Sequence, residues 1–319
     1  MAPVKQMRIS DPFLKVGCTL GEGPLYDPST STLYFVDIDE KKVLFTDRNA
    51  DITVYRLDTN SSQLSVEQFD ESITCLALRK SGGGLACTTA TGYAVLEDSQ
   101  IKYLSRPIPQ DHLPYTRFND GACDSKGRYF AGTVYSKEHD VPGRLWRYDP
   151  ADRSCVVVDE GPFTDSNGLG WSLDEKTMYF VDSLRNIIYA YDYDDGLLSN
   201  RRVFIDALAQ GQPENSFPDG LCIDSEGGIW SARWGGSRIV RYTKDGVEDM
   251  EIHFPTALNV TACCFGGPNE DQLYVTTAHC GAVGGDPSRQ ASYPDSGHLF
   301  VVNLEGQYTG GRWRHAFGG

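Results

Sequence analysis

A chain of 319 residues with 40% hydrophobic content is long enough to bury a substantial core and too apolar to be disordered. Its formal charge of −15, from 44 acidic against 29 basic residues, argues against nucleic acid and anionic membrane as partners and suits a cation. No stretch approaches the length of a membrane span, and the opening MAPVKQMRISDPFLKVG has no apolar signal core.

Nine cysteines, with no C-x-x-C pair, read as reduced and mostly buried thiols, so the expected compartment is the cytoplasm. Cys263 and Cys264, adjacent in an apolar run, read as packing residues. Without secretion the sequons at Asn60 and Asn259 are idle.

In chain order, one unit recurs. It appears first as GPLYDPSTSTLYFVDIDEKKVLFTD, then more weakly as ITCLALRKSGGGLACTTATGYAVLED. DGACDSKGRYFAGTVYSKEHDVPGRLWRYDP and NGLGWSLDEKTMYFVDSLRNIIYAYDYD follow. DGLCIDSEGGIWSARWGGSRIVRYTKDG comes next, and TACCFGGPNEDQLYVTTA, continued by SGHLFVVNLEG, ends the series. Each copy reads short strand, polar turn, aromatic or β-branched strand, polar turn, third strand. The spacing of roughly 45 to 50 residues is that of propeller blades. No amphipathic helix of ordinary length interrupts it. The expected architecture is all-β, a six-bladed β-propeller in a single domain over 1–319. An N-terminal strand around Ile9–Val16 is expected to complete the last blade.

Asp195-Gly196 and Asp245-Gly246 predict hairpin turns. Asp192–Gly196 opens like a calcium loop, but Gly falls at position five and Val203 at twelve, so it reads as a hairpin. Gly82–Gly84 lacks a following Lys-Ser/Thr and reads as a turn.

The innermost strands of different blades start at one end of a propeller's central channel. Four such starts carry polar residues: Glu22, Asn119, Asn167 and Asp219. Gly23, Gly168 and Gly220 beside them allow close backbone approach. Any one of the four is equally a turn residue; four at equivalent places favour a shared site. Two carboxylates and two amide oxygens make a hard donor set, which selects Ca²⁺, Mg²⁺ or Mn²⁺, with Zn²⁺ or Fe²⁺ as an oxygen-ligated exception. Without a cation, Glu22 and Asp219 would repel each other. Arg117, two residues before Asn119, reads either as a salt-bridge partner of one of the abundant carboxylates or as the holder of an anionic or oxygen-rich substrate by paired hydrogen bonds. The second strands end at the same side with Asp37, Thr133, Asp182, Arg233 and His279; Trp234 either walls the pocket or packs between blades.

GEGPLYD, YFVDI, RFNDGACDSKGRYFAGT, SNGLGWSLDEKTMYFVDS, FPDGLCIDSEGGIWSAR and TACCFGG together resemble the senescence-marker-protein, regucalcin and gluconolactonase family, which includes luciferin-regenerating enzymes. The resemblance covers about the whole chain. It implies one divalent metal, calcium first, held by Glu22, Asn167 and Asp219, with Arg117 and Asn119 on substrate and Asp219 as acid/base. It further implies hydrolysis of sugar lactones to aldonic acids. Where animal regucalcins carry two consecutive glutamates, this chain has Ser136 and Lys137, with Glu138 one step on.

The expected function is therefore a metal-dependent lactonase acting on a sugar lactone, with no protein partner inferred. The alternatives are a non-catalytic calcium-binding or scaffold propeller, and a hydrolase of a non-sugar lactone or ester. A WD40-type scaffold would repeat W-D and G-H signatures blade by blade; no W-D occurs and G-H occurs once, at Gly297-His298.

Overall fold

In the computed structural model, residues 3–38 and 52–319 are described. Six sheets form a six-bladed β-propeller. The strand β1 (Lys5–Arg8) precedes the blades. Blade one is β2 (Gly21–Asp27), β3 (Thr32–Asp37), β4 (Ile52–Asp58) and β5 (Gln63–Phe69). Blade two is β6 (Ile73–Ala77), β7 (Leu85–Thr89), β8 (Tyr93–Glu97) and β9 (Gln100–Ser105). Blade three is β10 (Phe118–Cys123), β11 (Tyr129–Thr133), β12 (Gly143–Asp149) and β13 (Ser154–Phe163). Blade four is β14 (Ser166–Trp171), β15 (Thr177–Asp182), β16 (Ile187–Asp194) and β17 (Leu197–Asp206). Blade five is β18 (Phe217–Ile223), β19 (Ile229–Trp234), β20 (Arg238–Tyr242) and β21 (Glu248–His253). Blade six is β22 (Asn259–Gly266), β23 (Gln272–Ala278) and β24 (Phe300–Asn303).

Side-chain chemistry sorts the strands by depth. The first strand β14, SNGLGW, is buried along its whole length, whereas the last strand β9, QIKYLS, alternates exposed and half-buried residues. Outer strands also carry charge, as with Lys102, Arg201 and Arg202, which discourages edge-to-edge pairing.

The chain forms two compact units. One comprises Met1–Ile73 and Pro213–Gly311, the other Thr74–Gln212 and Arg312–Gly319. In the first unit, β22 packs against both β18 and β2, so the first strands of blades five, six and one are successive neighbours. Its core includes Leu33, Phe35, Tyr55, Leu57, Tyr274 and Leu299, with Phe35 and Tyr55 stacked at 4.6 Å. In the second unit, β10 packs against β14. Its core gathers Tyr93, Phe118, Tyr129, Trp146 and Tyr148 around Phe317, delivered by the C-terminal segment. The backbone of Phe317 bonds to Leu78 and Lys80, which holds that segment in place.

Both predicted hairpins form. Asp195 and Gly196 turn between β16 and β17 at φ 44° and 91°, the left-handed geometry that a two-residue hairpin needs. The segment Asp192–Gly196 is thus a blade hairpin, and Gly82–Gly84 lies between β6 and β7. Helix among the described residues is limited to three short 3-10 turns.

The N-terminal segment differs from the expectation. The strand lies earlier, at Lys5–Arg8, and pairs in parallel with β21, giving blade five a fifth strand. Over Ile9–Val16 there is no strand: Leu14 alone bridges to Leu299 of the last blade. Pro12 accounts for this, since it offers no N–H to a ladder. The third strand expected at KKVLFTD (41–47) lies outside the described residues; β4 takes that place beside β3.

Candidate functional site

Five first strands share one irregularity: each gains an extra residue against its partner near its start, a β-bulge. Just before it, Phe118 faces Thr133, Ser166 faces Asp182, Pro218 faces Arg233 and Val260 faces Thr277, whereas in blade one Gly21 faces Asp37 and Glu22 still faces Val36. The next residue, unpaired in the bulge, is Asn119, Asn167, Asp219 and Thr261 in turn, while Glu22 is the last paired residue before the bulge of blade one. Three of the four residues expected at the site therefore occupy equivalent bulge positions, and Glu22 follows the residue facing Asp37 as Asn167 follows the one facing Asp182. Thr261 is a fifth member, missed in the sequence because no glycine follows it and because it completes a glycosylation sequon. In blade two, Thr74 is the second residue of β6, and its hydroxyl pairs with that of Thr88 at 2.9 Å.

In the first unit, Glu22 and Asp219 are buried, at 8% and 5% exposure. They flank Thr261. Its hydroxyl donates to the carbonyl of Gly21 at 2.6 Å and lies 2.9 Å from Thr276 Oγ1. On its other side, a Cβ at Gly220 would fall 2.5 Å from Ala262 Cβ and 3.0 Å from the Thr261 carbonyl oxygen. Only glycine lets β18 come this close to β22. Gly23 has φ 54°, and its N–H donates to Glu22 Oε2 at 3.1 Å.

In the second unit, three expected residues form one chain of hydrogen bonds. Arg117 Nη1 donates to Asn119 Oδ1 at 2.7 Å and to the Phe118 carbonyl at 2.9 Å. Asn119 Nδ2 donates to the Ser166 carbonyl at 2.8 Å and to Asn167 Oδ1 at 3.2 Å. Asn167 Nδ2 in turn donates to Ser183 Oγ at 2.9 Å, and the residue is 5% exposed. Asp165, two residues before Asn167, completes this side. Burial pushes its carboxyl up to about 6, against the attraction of Arg117 and with Asp182 adding to the rise.

The residues ending the second strands serve the backbone. Asp37 accepts the N–H of Thr19 at 2.7 Å and of Leu20 at 2.8 Å. Asp182 does the same for Thr164 at 2.9 Å and Asp165 at 3.3 Å, with Arg185 Nε 3.3 Å from its other oxygen. Both carboxylates thus pin the loop that enters the first strand of their blade. Arg233, wholly buried, donates to the hydroxyl and carbonyl of Ser216 on the corresponding loop. Burial lowers its pKa to about 10, which leaves it charged at neutral pH. Thr133 Oγ1 accepts the N–H of Arg144 at 3.0 Å. His279 Nδ1 accepts the N–H of Gly281 at 3.0 Å, so its neutral ring carries the proton on Nε2. Trp234, half-buried, pairs with Phe217 across β18 and β19.

Ser136 bridges to Val141 in a short hairpin on which Lys137 and Glu138 are exposed. His139, 3.2 Å from Ser136 Oγ through Nδ1, stacks on Tyr115 at 3.6 Å and 13°.

Among the described residues, no three His, Cys, Asp or Glu side chains gather as a metal cluster. The expected donor set has two carboxylates and draws its other donors from amides. Buried carboxylate and amide oxygens fit a hard divalent cation, whose charge would offset that of Glu22 and Asp219. No helix of the described residues is long and apolar enough to cross a membrane.

Residues 20–279 match the family model described as SMP-30/Gluconolactonase/LRE-like region. The chain belongs to this family. Human regucalcin (Homo sapiens) is 34% identical over 297 residues, covering 91% of this chain and 92% of the relative. Among solved structures, a luciferin-regenerating enzyme aligns with a TM-score of 0.79 at 28% identity, over 97% of this chain and 98% of that one. A calcium-binding protein, regucalcin from Agrobacterium tumefaciens, aligns with a TM-score of 0.82 over 99% of both chains; at 23% identity it speaks to the fold alone. Membership places this propeller in a family that includes gluconolactonases.

Proposed function

We propose that this protein is a divalent-metal-dependent lactonase that hydrolyses a sugar lactone to its aldonic acid. The observation that carries the reading is the polar start of the first strand in four different blades: Asn119, Asn167 and Asp219 lie one residue into the bulge, and Glu22 is the last paired residue before one. A family whose model description includes gluconolactonase, and relatives named regucalcin, support it.

Glu22, Asn167 and Asp219 would hold the cation, with calcium the first choice for an all-oxygen set. When bound, it supplies Lewis-acid stabilisation of charge on the lactone carbonyl oxygen. Asp219 accepts the proton of the attacking water and returns one to the ring oxygen as the ester C–O bond breaks. Arg117 and Asn119, already bonded to each other, orient the substrate hydroxyls. The all-oxygen character of the expected set argues against thiolate- or imidazole-centred chemistry at this position. All nine cysteines are free thiols, in keeping with a reducing cytoplasm.

A panel of aldonolactones followed with a pH indicator, in the presence of Ca²⁺, Mg²⁺, Mn²⁺ and Zn²⁺ in turn, tests the reading. Turnover lost on chelation and restored by a divalent ion is expected. Tight calcium binding with no turnover of any lactone would leave a metal-binding propeller without this catalysis.

A further inference from the structure

Two residues ahead of Glu22 and of each bulge residue lies a second set of side chains. In blades three and four these are Arg117 and Asp165, both polar and both beside the Asn119–Asn167 chain. In blades one and five they are apolar, Leu20 and Phe217. In blade six the residue is Asn259. It opens β22, facing Ala278, two residues before Thr261.

Asn259 is 3% exposed. Its Nδ2 donates to the carbonyl of His279 at 3.3 Å, a long bond. Its Oδ1 and second N–H have no other partner among the described residues. Nor is that oxygen among the sealed, partnerless atoms of the interior, so the little surface Asn259 keeps includes it. A buried amide with so much hydrogen-bonding capacity unspent is unusual, because desolvating an amide without partners is costly. By contrast, Thr261 directly below spends its hydroxyl on Gly21 and Thr276. In the blade between the two carboxylate-bearing strands, the free polar capacity therefore belongs to Asn259.

We propose that Asn259 is a substrate-binding residue: its Oδ1 accepts, and its second N–H donates, hydrogen bonds to ring hydroxyls of a polyhydroxylated lactone. The assignment rests on the lactonase reading. It makes Asn259 the counterpart, in the first unit, of Arg117 in the second. It also gives Glu22 and Asp219 a neighbour that discriminates hydroxylated from plain lactones, since a site built to bond a hydroxyl rejects an analogue without one.

The test compares calcium-loaded wild type with Asn259→Leu, similar in volume but without polar atoms, and with Asn259→Ser should the leucine variant fail to fold. Two substrates are used: D-glucono-δ-lactone, and δ-valerolactone, which has the same ring without hydroxyls. D-gluconate, the hydroxylated product, is titrated calorimetrically in parallel. For the variant, KM on gluconolactone and Kd for gluconate should each rise about tenfold, the scale of one lost hydrogen bond to a substrate hydroxyl. Kinetics on δ-valerolactone and calcium affinity should stay unchanged. Equal losses on both lactones, or unchanged gluconate affinity, would overturn the assignment. If wild type hydrolyses neither lactone, the lactonase reading fails and the titration still decides. Weaker gluconate binding by the variant then supports Asn259; equal binding, or none by either protein, overturns it.

Discussion

Asn119 donates its side-chain amide to the amide oxygen of Asn167, 3.2 Å from Nδ2 to Oδ1, joining the first strands of blades three and four. With Ser183 holding Nδ2 of Asn167 at 2.9 Å, the orientation of that amide is set from both ends before any cation arrives. Partners behind a ligand typically govern affinity by tenfold or more. Ser183→Ala should therefore weaken calcium binding by about tenfold in a calorimetric titration while leaving the blades folded. Unaltered affinity would remove Ser183 from the account.

Arg117 works at the other end of the same chain. Its bond to Asn119 Oδ1 at 2.7 Å places a guanidinium fork, suited to an oxygen-rich substrate, beside the amide chain. Arg117→Met should raise KM for a hydroxylated lactone by about tenfold or more, with calcium affinity nearly unchanged. A variant that instead lost calcium and kept its KM would reverse the roles assigned here.

Thr261 ties β22 to β2 at the residue before Glu22. Thr261→Val keeps the shape and removes the donor, leaving the buried Gly21 carbonyl without that bond. The expected cost is about 1–3 kcal/mol, read from urea denaturation. Because Gly21 precedes Glu22, calcium affinity should fall as well, and a variant with native stability and native affinity would show that the bond does neither job.

Close approach on the other flank depends on Gly220. Gly220→Ala places a methyl 2.5 Å from Ala262 Cβ, so β18 or β22 must shift, at about 1–3 kcal/mol. Gly83→Ala, where a Cβ meets nothing within 4 Å, is the matched control and should be nearly neutral. Thermal unfolding of the pair checks the difference.

Much of this was readable in the chain. The repeated YFVD segments and the Asn/Asp-Gly starts announce six strand-turn-strand units, because turn chemistry and β-branched or aromatic runs are local signals. Asn119, Asn167 and Asp219 stood out because each is followed closely by glycine. What stayed hidden depends on partners distant in sequence. Asp37 and Asp182 look like ordinary turn residues until their oxygens are seen to hold the loops of Thr19–Leu20 and Thr164–Asp165. Asn259 and Thr261 were masked by the glycosylation pattern they spell, and their place emerges only from the pairing of β22 with β23. The N-terminal strand was misplaced because pairing with β21 is a contact some 245 residues away, which no local pattern encodes.

The most direct measurement of the central claim is a calorimetric titration of metal-free protein with calcium, on wild type and on Glu22→Gln, Asn167→Ala and Asp219→Asn. The account predicts one site per chain in the wild type and affinity weaker by about tenfold to a hundredfold in each variant, with circular dichroism unchanged. Wild type that takes up no calcium or other divalent ion, or variants that bind it as well as wild type, would contradict it.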